Sequence, residues 1–216
     1  MLFELGKENT IFNSFLAELR DEHIQQDSMR FRRNIERLGE IFAYEISKHF
    51  AYTTKEVVTP LGTAKMSLPQ EQPVLATILR AGLPLHQGLL NFFDHADNAF
   101  VSAYRKYHKK GTFTIKLDYV SSPLIDDRIL IISDPMLASG GSLIAALNGL
   151  LEKGKPKHIH IVNVLASEEG IKAIKKRFSL KGISMWIGAI DAELTAKAFI
   201  VPGLGDAGDL AFGNKD

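Results

Sequence analysis

The chain has 216 residues, 45% of them hydrophobic, which suits one α/β domain with a sizeable core and excludes a disordered chain. Its 26 basic and 25 acidic residues give a net charge of +1, too little for a broad nucleic-acid-binding face. Cysteine is absent, which excludes disulfides, thiolate nucleophiles and cysteine-bound zinc. The sequence shows neither a signal peptide nor an apolar run of the ~20 residues that cross a membrane. We expect a soluble cytoplasmic protein with no nucleic-acid or membrane partner.

The N-terminal quarter is predicted to be helical over residues 14–49, because apolar side chains recur there at three- and four-residue spacing. This stripe comprises Met29, Phe31, Ile35, Leu38, Ile41, Phe42 and Ile46. Ser28 is a candidate cap for the second half of the stretch. The sequence Thr59-Pro60-Leu61-Gly62 then predicts a turn between two short strand-like pieces within residues 55–68.

From residue 73 onward, short apolar runs alternate with helical patterns. Strands are predicted at 74–79, 99–104, 129–132, 158–165 and 185–190, and helices at 83–93, 142–153 and 168–177. Residues 112–120 alternate as a half-exposed hairpin strand would, with Phe113, Ile115, Leu117 and Tyr119 on one side. This order predicts a mainly parallel central sheet flanked by helices, with a β-hairpin and an N-terminal helical arm (1–50), in a single domain over 1–216.

Ligands bind such sheets beyond the carboxyl ends of the strands. Four polar residues stand at those ends: Arg80, Arg105, Asp134 and Asp191. They are therefore the first candidates for a functional site.

A small-residue loop follows Asp134. Gly140 and Gly141 let the backbone approach an anion closely, and the hydroxyls of Ser139 and Ser142 can face phosphate oxygens at the start of a helix. No Lys follows the glycines, so this is not a Walker loop. Because the carboxylate of Asp134 can accept hydrogen bonds from ribose hydroxyls, the segment predicts a ribose-phosphate ligand.

Three segments together resemble the uracil phosphoribosyltransferases, a type I phosphoribosyltransferase family. The loop Asp134-Pro135-Met136-Leu137-Ala138-Ser139-Gly140-Gly141-Ser142 is similar to the family's motif for phosphoribosyl pyrophosphate (PRPP). Ile78-Leu79-Arg80-Ala81-Gly82-Leu83 is similar to its pyrophosphate loop, and Ile200 to Asp209 to its base-binding C-terminal segment (191–216). The resemblance implies transfer of the 5-phosphoribosyl group of PRPP to uracil, giving UMP and pyrophosphate in pyrimidine salvage.

The resemblance also implies the roles of individual residues. Asp134, Arg80, Arg105 and Asp206 are the implied catalytic residues. PRPP is expected to contact Arg80, Arg105, Asp206 and the loop residues Asp134, Pro135, Met136, Leu137, Ala138, Ser139, Gly140, Gly141 and Ser142. Uracil is expected to contact Ile200, Gly205, Asp206 and Ala207. Main-chain groups of the glycine-rich C-terminal segment would select the pyrimidine.

Cofactor and assembly follow from the same resemblance. Mg²⁺ is expected, held mainly by PRPP oxygens and water, because Pro135 stands where related families place a second acid. The resemblance implies a homodimer or homotetramer. GTP activates some relatives, and the sequence leaves open whether it is an effector here.

The chain departs from the family pattern at several positions. Ser139 replaces a common Thr, Phe199 a common Tyr, and Leu210 a common Arg. The basic run from Lys106 to Lys110 replaces an acidic stretch, and we expect it to form a solvated loop.

Other features predict structural roles or alternative functions. His158 and His160 alternate on a strand without metal-ligand spacing, and Trp186 is expected in the core.

Two alternative functions remain open from the sequence. One is a phosphoribosyltransferase-fold regulator of pyrimidine genes that binds RNA or nucleotide, and the other is a transferase for another base.

Overall fold

The computed structural model describes residues 1–107 and 113–214, and for residues 104–107 and 113–115 it describes the backbone alone. In chain order the strands are β1 (Leu2–Glu4), β2 (Tyr52–Thr59), β3 (Gly62–Pro69), β4 (Val74–Leu79), β5 (Asp97–Tyr107), β6 (Phe113–Ser121), β7 (Ile129–Ser133), β8 (Met136–Leu137), β9 (His158–Ser167), β10 (Ile183–Asp191), β11 (Glu193–Leu194) and β12 (Ile200–Val201). The helices are α1 (Phe12–Arg20), α2 (Ser28–Ser47), α3 (Leu83–Phe92), α4 (Gly141–Leu151), α5 (Glu168–Arg177) and α6 (Ala207–Phe212).

The central sheet has the strand order β1-β10-β9-β7-β4-β5-β6, with β8 added beside β9. Every pairing in it is parallel except β5 with β6. The predicted α/β fold with a mainly parallel sheet is therefore confirmed. Because the strands are parallel, the carboxyl ends of β4, β7, β9 and β10 meet at one edge.

Helices cover both faces of the sheet. Leu75 and Ile131 point into a core shared with α1, α2 and α3. Their neighbours Val74 and Leu130 point into a second core, shared with α4 and α5. Successive side chains of a strand point to opposite faces of the sheet, so each strand contributes to both cores. Its sequence is therefore a continuous apolar run.

The N-terminal region differs from the single predicted helix. It forms α1 and α2, separated by a break at 21–27, and the unpredicted strand β1 precedes them at the sheet's edge. Asp27, not Ser28, caps α2, because its side chain accepts from Met29 N and Arg30 N at 3.0 Å. Met29 was predicted in the buried stripe, but it is 63% exposed, whereas Phe31 in the same turn of α2 is fully buried. The stripe residues that are fully buried are Phe31, Ile35, Leu38, Phe42 and Ile46.

The pairing of β5 with β6 contains a bulge. Ser102 is opposite Tyr119, whereas Ala103 is opposite Leu117, so Asp118 is the extra residue. An extra residue reverses the alternation of side chains beyond it. Leu117 accordingly packs on the core while Tyr119 is 56% exposed, and the prediction that both share a side is wrong.

A separate two-stranded sheet is formed by β2 and β3, joined through the predicted turn at Thr59–Gly62. Most of its residues are exposed. No helix within the described part of the chain is long and apolar enough to span a membrane.

Candidate active site

A cavity of about 490 Å³ lies beyond the carboxyl ends of β4 and β7. Its walls come from three segments distant in sequence and from the middle of β5. The lining residues are Ile78, Leu79, Arg80, Ala81, Ser102, Ala103, Asp134, Met136, Ala138, Ser142, Ala198, Phe199, Ile200, Gly205, Asp206, Ala207 and Gly208. The structure thus brings together the three segments that were singled out in the sequence.

The loop after β7 forms one wall and encloses a smaller depression beside it. That depression, of about 30 Å³, is lined by Asp134, Met136, Leu137, Ala138, Ser139, Gly140, Gly141, Ser142 and Leu143. Gly140 has φ +83°, a left-handed conformation that glycine adopts without strain, and it is the N-cap of α4. The first N–H groups of α4 and the positive end of its dipole therefore adjoin a depression suited to one anionic group.

The loop is anchored to β9 by hydrogen bonds that the sequence did not reveal. Asn163 Nδ2 donates to Asp134 O at 2.6 Å, and Leu165 N donates to Pro135 O at 2.9 Å. Ser167 Oγ donates to Ala138 O at 2.6 Å. Pro135 lines neither cavity, because its carbonyl is directed at β9. The anchors fix the loop's carbonyls away from the side where an anion would bind.

Arg80 follows β4 and contacts the C-terminal helix. Its Nη2 lies 3.0 Å from Asp209 Oδ1 and donates to Gly213 O at 3.2 Å. The peptide bond Leu79–Arg80 is cis. The Arg80 side chain is 40% exposed, so the guanidinium is accessible from the cavity.

The predicted base-binding segment folds over the other side of the cavity. Ile200 lies in β12 and is buried, and Gly205 has φ +93°. Asp206 caps the short α6 by accepting from Gly208 N at 2.9 Å and from Asp209 N at 3.1 Å. The main chain from Gly205 to Ala207 therefore lines the cavity in a fixed conformation.

Asp191, the fourth strand-end residue, does not line the cavity. It pairs with Arg20 at 2.8 Å and accepts from Gly203 N at 2.9 Å. Burial opposes its charge, but the hydrogen bonds from Arg20 and Gly203 outweigh burial and hold the pKa of this carboxyl below its usual range. Its contact with the segment Ile200–Asp209 is the hydrogen bond from the main chain of Gly203.

Arg105 belongs to β5, but its side chain lies outside the described residues, as does the loop of the basic run from Lys106 to Lys110. Among the lining residues that the structure describes, Arg80 alone is cationic, against the carboxyls of Asp134 and Asp206. In the described part of the chain, no three His, Cys, Asp or Glu side chains form a metal-binding cluster.

The histidines on β9 are far from this chemistry. Trp186 Nε1 donates to His160 Nδ1 at 3.0 Å, and both residues are almost fully buried. Burial, reinforced by the neighbouring His158, lowers the pKa of His160 to about 3. His160 and Trp186 are thus core residues, a position that was predicted for Trp186.

Comparison with known proteins identifies the family. A family model described as uracil phosphoribosyltransferase matches residues 7–214. The chain belongs to the uracil phosphoribosyltransferase family. A relative named uracil phosphoribosyltransferase from Porphyromonas gingivalis is 53% identical over 214 residues, covering 99% of each chain. One of the same name from Thermococcus gammatolerans is 40% identical over 201 residues, covering 92% of this chain and 87% of the relative.

A solved structure of a protein from Aquifex aeolicus superposes with a TM-score of 0.86. It is 30% identical and covers 99% of this chain and 98% of that one. The uracil phosphoribosyltransferase resemblance drawn from three short segments is therefore confirmed over nearly the whole chain.

Besides Ser139 in the phosphate loop, two departures from the family pattern lie at the site, both beside the base-binding main chain. Phe199, which replaces a common Tyr, lines the cavity with its side chain 39% exposed. Leu210, which replaces a common Arg, lies beside Gly205, where its Cδ1 would be 3.8 Å from an added Cβ. Phe199 and Leu210 flank the segment Ile200–Asp209, and neither lies in the phosphate loop.

Proposed function

We propose that the chain transfers the 5-phosphoribosyl group of PRPP to uracil within the 490 Å³ cavity, giving UMP and pyrophosphate. The observation that carries the proposal is that one cavity joins the phosphate loop, Arg80 and the C-terminal segment. Membership of the uracil phosphoribosyltransferase family supports the choice of substrates.

The 5-phosphate is assigned to the depression formed by Ser139–Ser142. Backbone N–H groups at the start of α4 donate to it, and the hydroxyls of Ser139 and Ser142 add two donors. Asp134, which lines both this depression and the larger cavity, is placed to accept from the ribose hydroxyls. A sugar phosphate would thus span the two cavities.

Arg80 is assigned to the pyrophosphate. Its guanidinium fork carries positive charge and matches two phosphate oxygens. Arg80 Nη2 also lies 3.0 Å from Asp209 Oδ1, so the pyrophosphate and this carboxyl would be alternative anionic partners of the guanidinium. Arg105, from β5, is proposed for the same group.

Mg²⁺ fits the carboxylates that line the cavity. Asp134 and Asp206 put negative charge beside a polyanionic substrate, which a hard cation with oxygen ligands offsets. We propose that these residues hold the ion through its waters, while PRPP oxygens supply the direct ligands. Bound Mg²⁺ would neutralise charge on the departing pyrophosphate.

The pyrimidine is assigned to the main chain of Gly205 and Ala207, against the buried side chain of Ile200. Uracil presents alternating acceptors and a donor, which backbone N–H and C=O groups can match. In the reaction, the bond from C1 to pyrophosphate breaks and pyrophosphate leaves with the electron pair. N1 of uracil bonds to C1, and the proton of N1 passes to water or to the released pyrophosphate. Holding both reactants in line is the main contribution of this chain.

The test is a turnover assay with PRPP, Mg²⁺ and one base at a time. We expect UMP and pyrophosphate with uracil and no nucleotide with cytosine, because cytosine would leave buried donors and acceptors unmatched. Turnover of a purine base in place of uracil would refute the base assignment, and absence of any nucleotide would refute the activity.

A further inference from the structure

An ion pair outside the cavity fixes both polar backbone atoms of Gly203. Arg20 ends α1 and Asp191 ends β10, and Arg20 Nη1 and Nη2 each lie 2.8 Å from an oxygen of Asp191. Arg20 Nη1 also donates to Gly203 O at 3.0 Å, and Gly203 N donates to Asp191 Oδ2 at 2.9 Å. These three residues are termed the Gly203 clamp.

Gln25 adds a contact at the next residue. The amide orientation that satisfies Gln25 places its nitrogen 2.7 Å from Leu204 O and 3.2 Å from Leu19 O. The side chain of Leu204 is only 4% exposed. Arg20, at the end of α1, and Gln25, in the break before α2, therefore hold two consecutive carbonyls just before the segment from Gly205 to Ala207.

The ion pair of the clamp fixes the orientation of its two side chains more than it adds stability. The Asp191 side chain is 7% exposed and that of Arg20 is 25% exposed, so the pair is largely removed from water. A buried pair of this kind adds little net stability compared with apolar packing. Two parallel N–H···O bonds do, however, fix the orientation of both planes.

We propose that Arg20 and Asp191 are positioning residues for the pyrimidine, an inference that rests on the proposed base site. Main-chain groups cannot adjust to a bound base by rotating, as side chains can. The position of the backbone therefore determines whether the base can be bound. The clamp sets that position at Gly203, two residues before Gly205. None of the hydrogen bonds described for the clamp reaches the phosphate loop, so we expect its effect on the base to exceed its effect on the sugar phosphate.

The variants Arg20→Lys and Asp191→Asn test this assignment, because each keeps the size of its side chain but disrupts the paired hydrogen bonds. Arg30→Lys is the matched control. Arg30 is also bidentate, at 2.9 and 2.6 Å from Glu18, but none of its hydrogen bonds reaches the C-terminal segment. Thermal unfolding confirms that each variant is folded before it is assayed.

Calorimetric titration with UMP and with ribose 5-phosphate separates the base from the sugar phosphate. We expect each clamp variant to bind UMP about ten-fold more weakly, the loss typical of a hydrogen bond to a charged group. Affinity for ribose 5-phosphate should stay within two-fold of wild type. The control should match wild type for both ligands.

Steady-state rates give a second readout. In folded clamp variants, the KM for uracil should rise about ten-fold while the KM for PRPP is unchanged. Unchanged UMP affinity, or equal weakening of UMP and ribose 5-phosphate, would overturn the clamp's role. If wild type binds UMP but does not turn over uracil, the proposed activity fails and the titration still decides the clamp.

Discussion

Asp134 is the residue on which the sugar-phosphate assignment depends most. Its main chain is fixed from both sides, because Asp134 N donates to Val162 O at 3.1 Å and Asp134 O accepts from Asn163. Asp134 lines both cavities, and its Oδ1 accepts from Met136 N at 3.4 Å. A carboxylate held in this way can accept from two ribose hydroxyls without reorganisation.

Replacing Asp134 with Asn should lower kcat/KM for PRPP about 100-fold or more, because a preorganised charged acceptor becomes a neutral amide. The unfolding temperature should change little, since the bonds to Val162 and Asn163 are made by the main chain and Asn keeps an oxygen that can accept from Met136 N. Steady-state assay and thermal unfolding together check this. Asp94→Asn, at a side chain that is 70% exposed, is the control. Wild-type kcat/KM in Asp134→Asn would exclude the ribose role.

At the scale of elements, α5 packs directly beneath the phosphate loop. Ser167 caps α5 by accepting from Gly170 N at 2.9 Å and also donates to Ala138 O. A Cβ added at Gly170 would collide with Ala138 O and lie 2.7 Å from Leu137 O. The close approach of α5 therefore determines where the carbonyls of Leu137 and Ala138 can lie.

The variant Gly170→Ala should displace the carbonyls of Leu137 and Ala138 and so misplace the phosphate donors. We expect the KM for PRPP to rise about ten-fold and the free energy of unfolding to fall by about 1–3 kcal/mol. Glu169→Ala changes an exposed neighbour on the same helix and should leave both quantities unchanged. An unaltered KM in Gly170→Ala would show that the loop does not depend on α5.

Local patterns in the sequence predicted elements well where one interaction dominates. The strand at 74–79 and the helix at 168–177 have the predicted bounds. An apolar run marks the first, and an amphipathic stripe after a capping residue marks the second, and both signals lie within the segment itself. The candidate cap at Ser28 indicated the start of α2, but the end of α1 at Arg20 was not predicted. There the carboxyl of Asp21 binds the backbone N–H groups of His23 and Ile24, which competes with the helix.

The sequence likewise indicated the residues of the candidate site only where they stand in local motifs. Asp134, Arg80 and Gly205 stand in recognisable motifs, and all three line the cavity. Asn163 and Arg20 stand in no motif, because each acts through a hydrogen bond to backbone 29 or more residues away. Contacts of that separation depend on the packed fold and leave no local pattern.

At the scale of the whole molecule, the end of the sheet opposite the cavity carries a buried histidine. Phe3 stacks on Trp186 with ring centroids 4.1 Å apart, and Trp186 donates to His160. The folded chain keeps His160 neutral, with its pKa lowered from 6.5 to about 3. The unfolded chain therefore binds one more proton than the folded chain in this pH window.

His160 therefore makes a contribution to the free energy of unfolding that is fully present above pH 6.5. This contribution falls by about 1.4 kcal/mol per pH unit as the pH drops from 6.5 toward 3. His160→Gln keeps an acceptor for Trp186 but does not titrate. Between pH 7 and pH 5, urea unfolding of this variant should lose about 2 kcal/mol less stability than wild type loses. His95→Gln, at an 83% exposed side chain, serves as the control. Equal losses in wild type and His160→Gln would contradict the buried neutral state.

The central claim is that one cavity holds a sugar phosphate on the loop before α4 and a pyrimidine on the C-terminal main chain. A crystal structure with UMP tests it most directly. We predict the 5-phosphate within hydrogen-bond distance of Ser139–Ser142, the ribose hydroxyls at Asp134, and the uracil ring against Gly205–Ala207. UMP bound elsewhere, or bound with its base and phosphate exchanged between the two ends, would contradict the account.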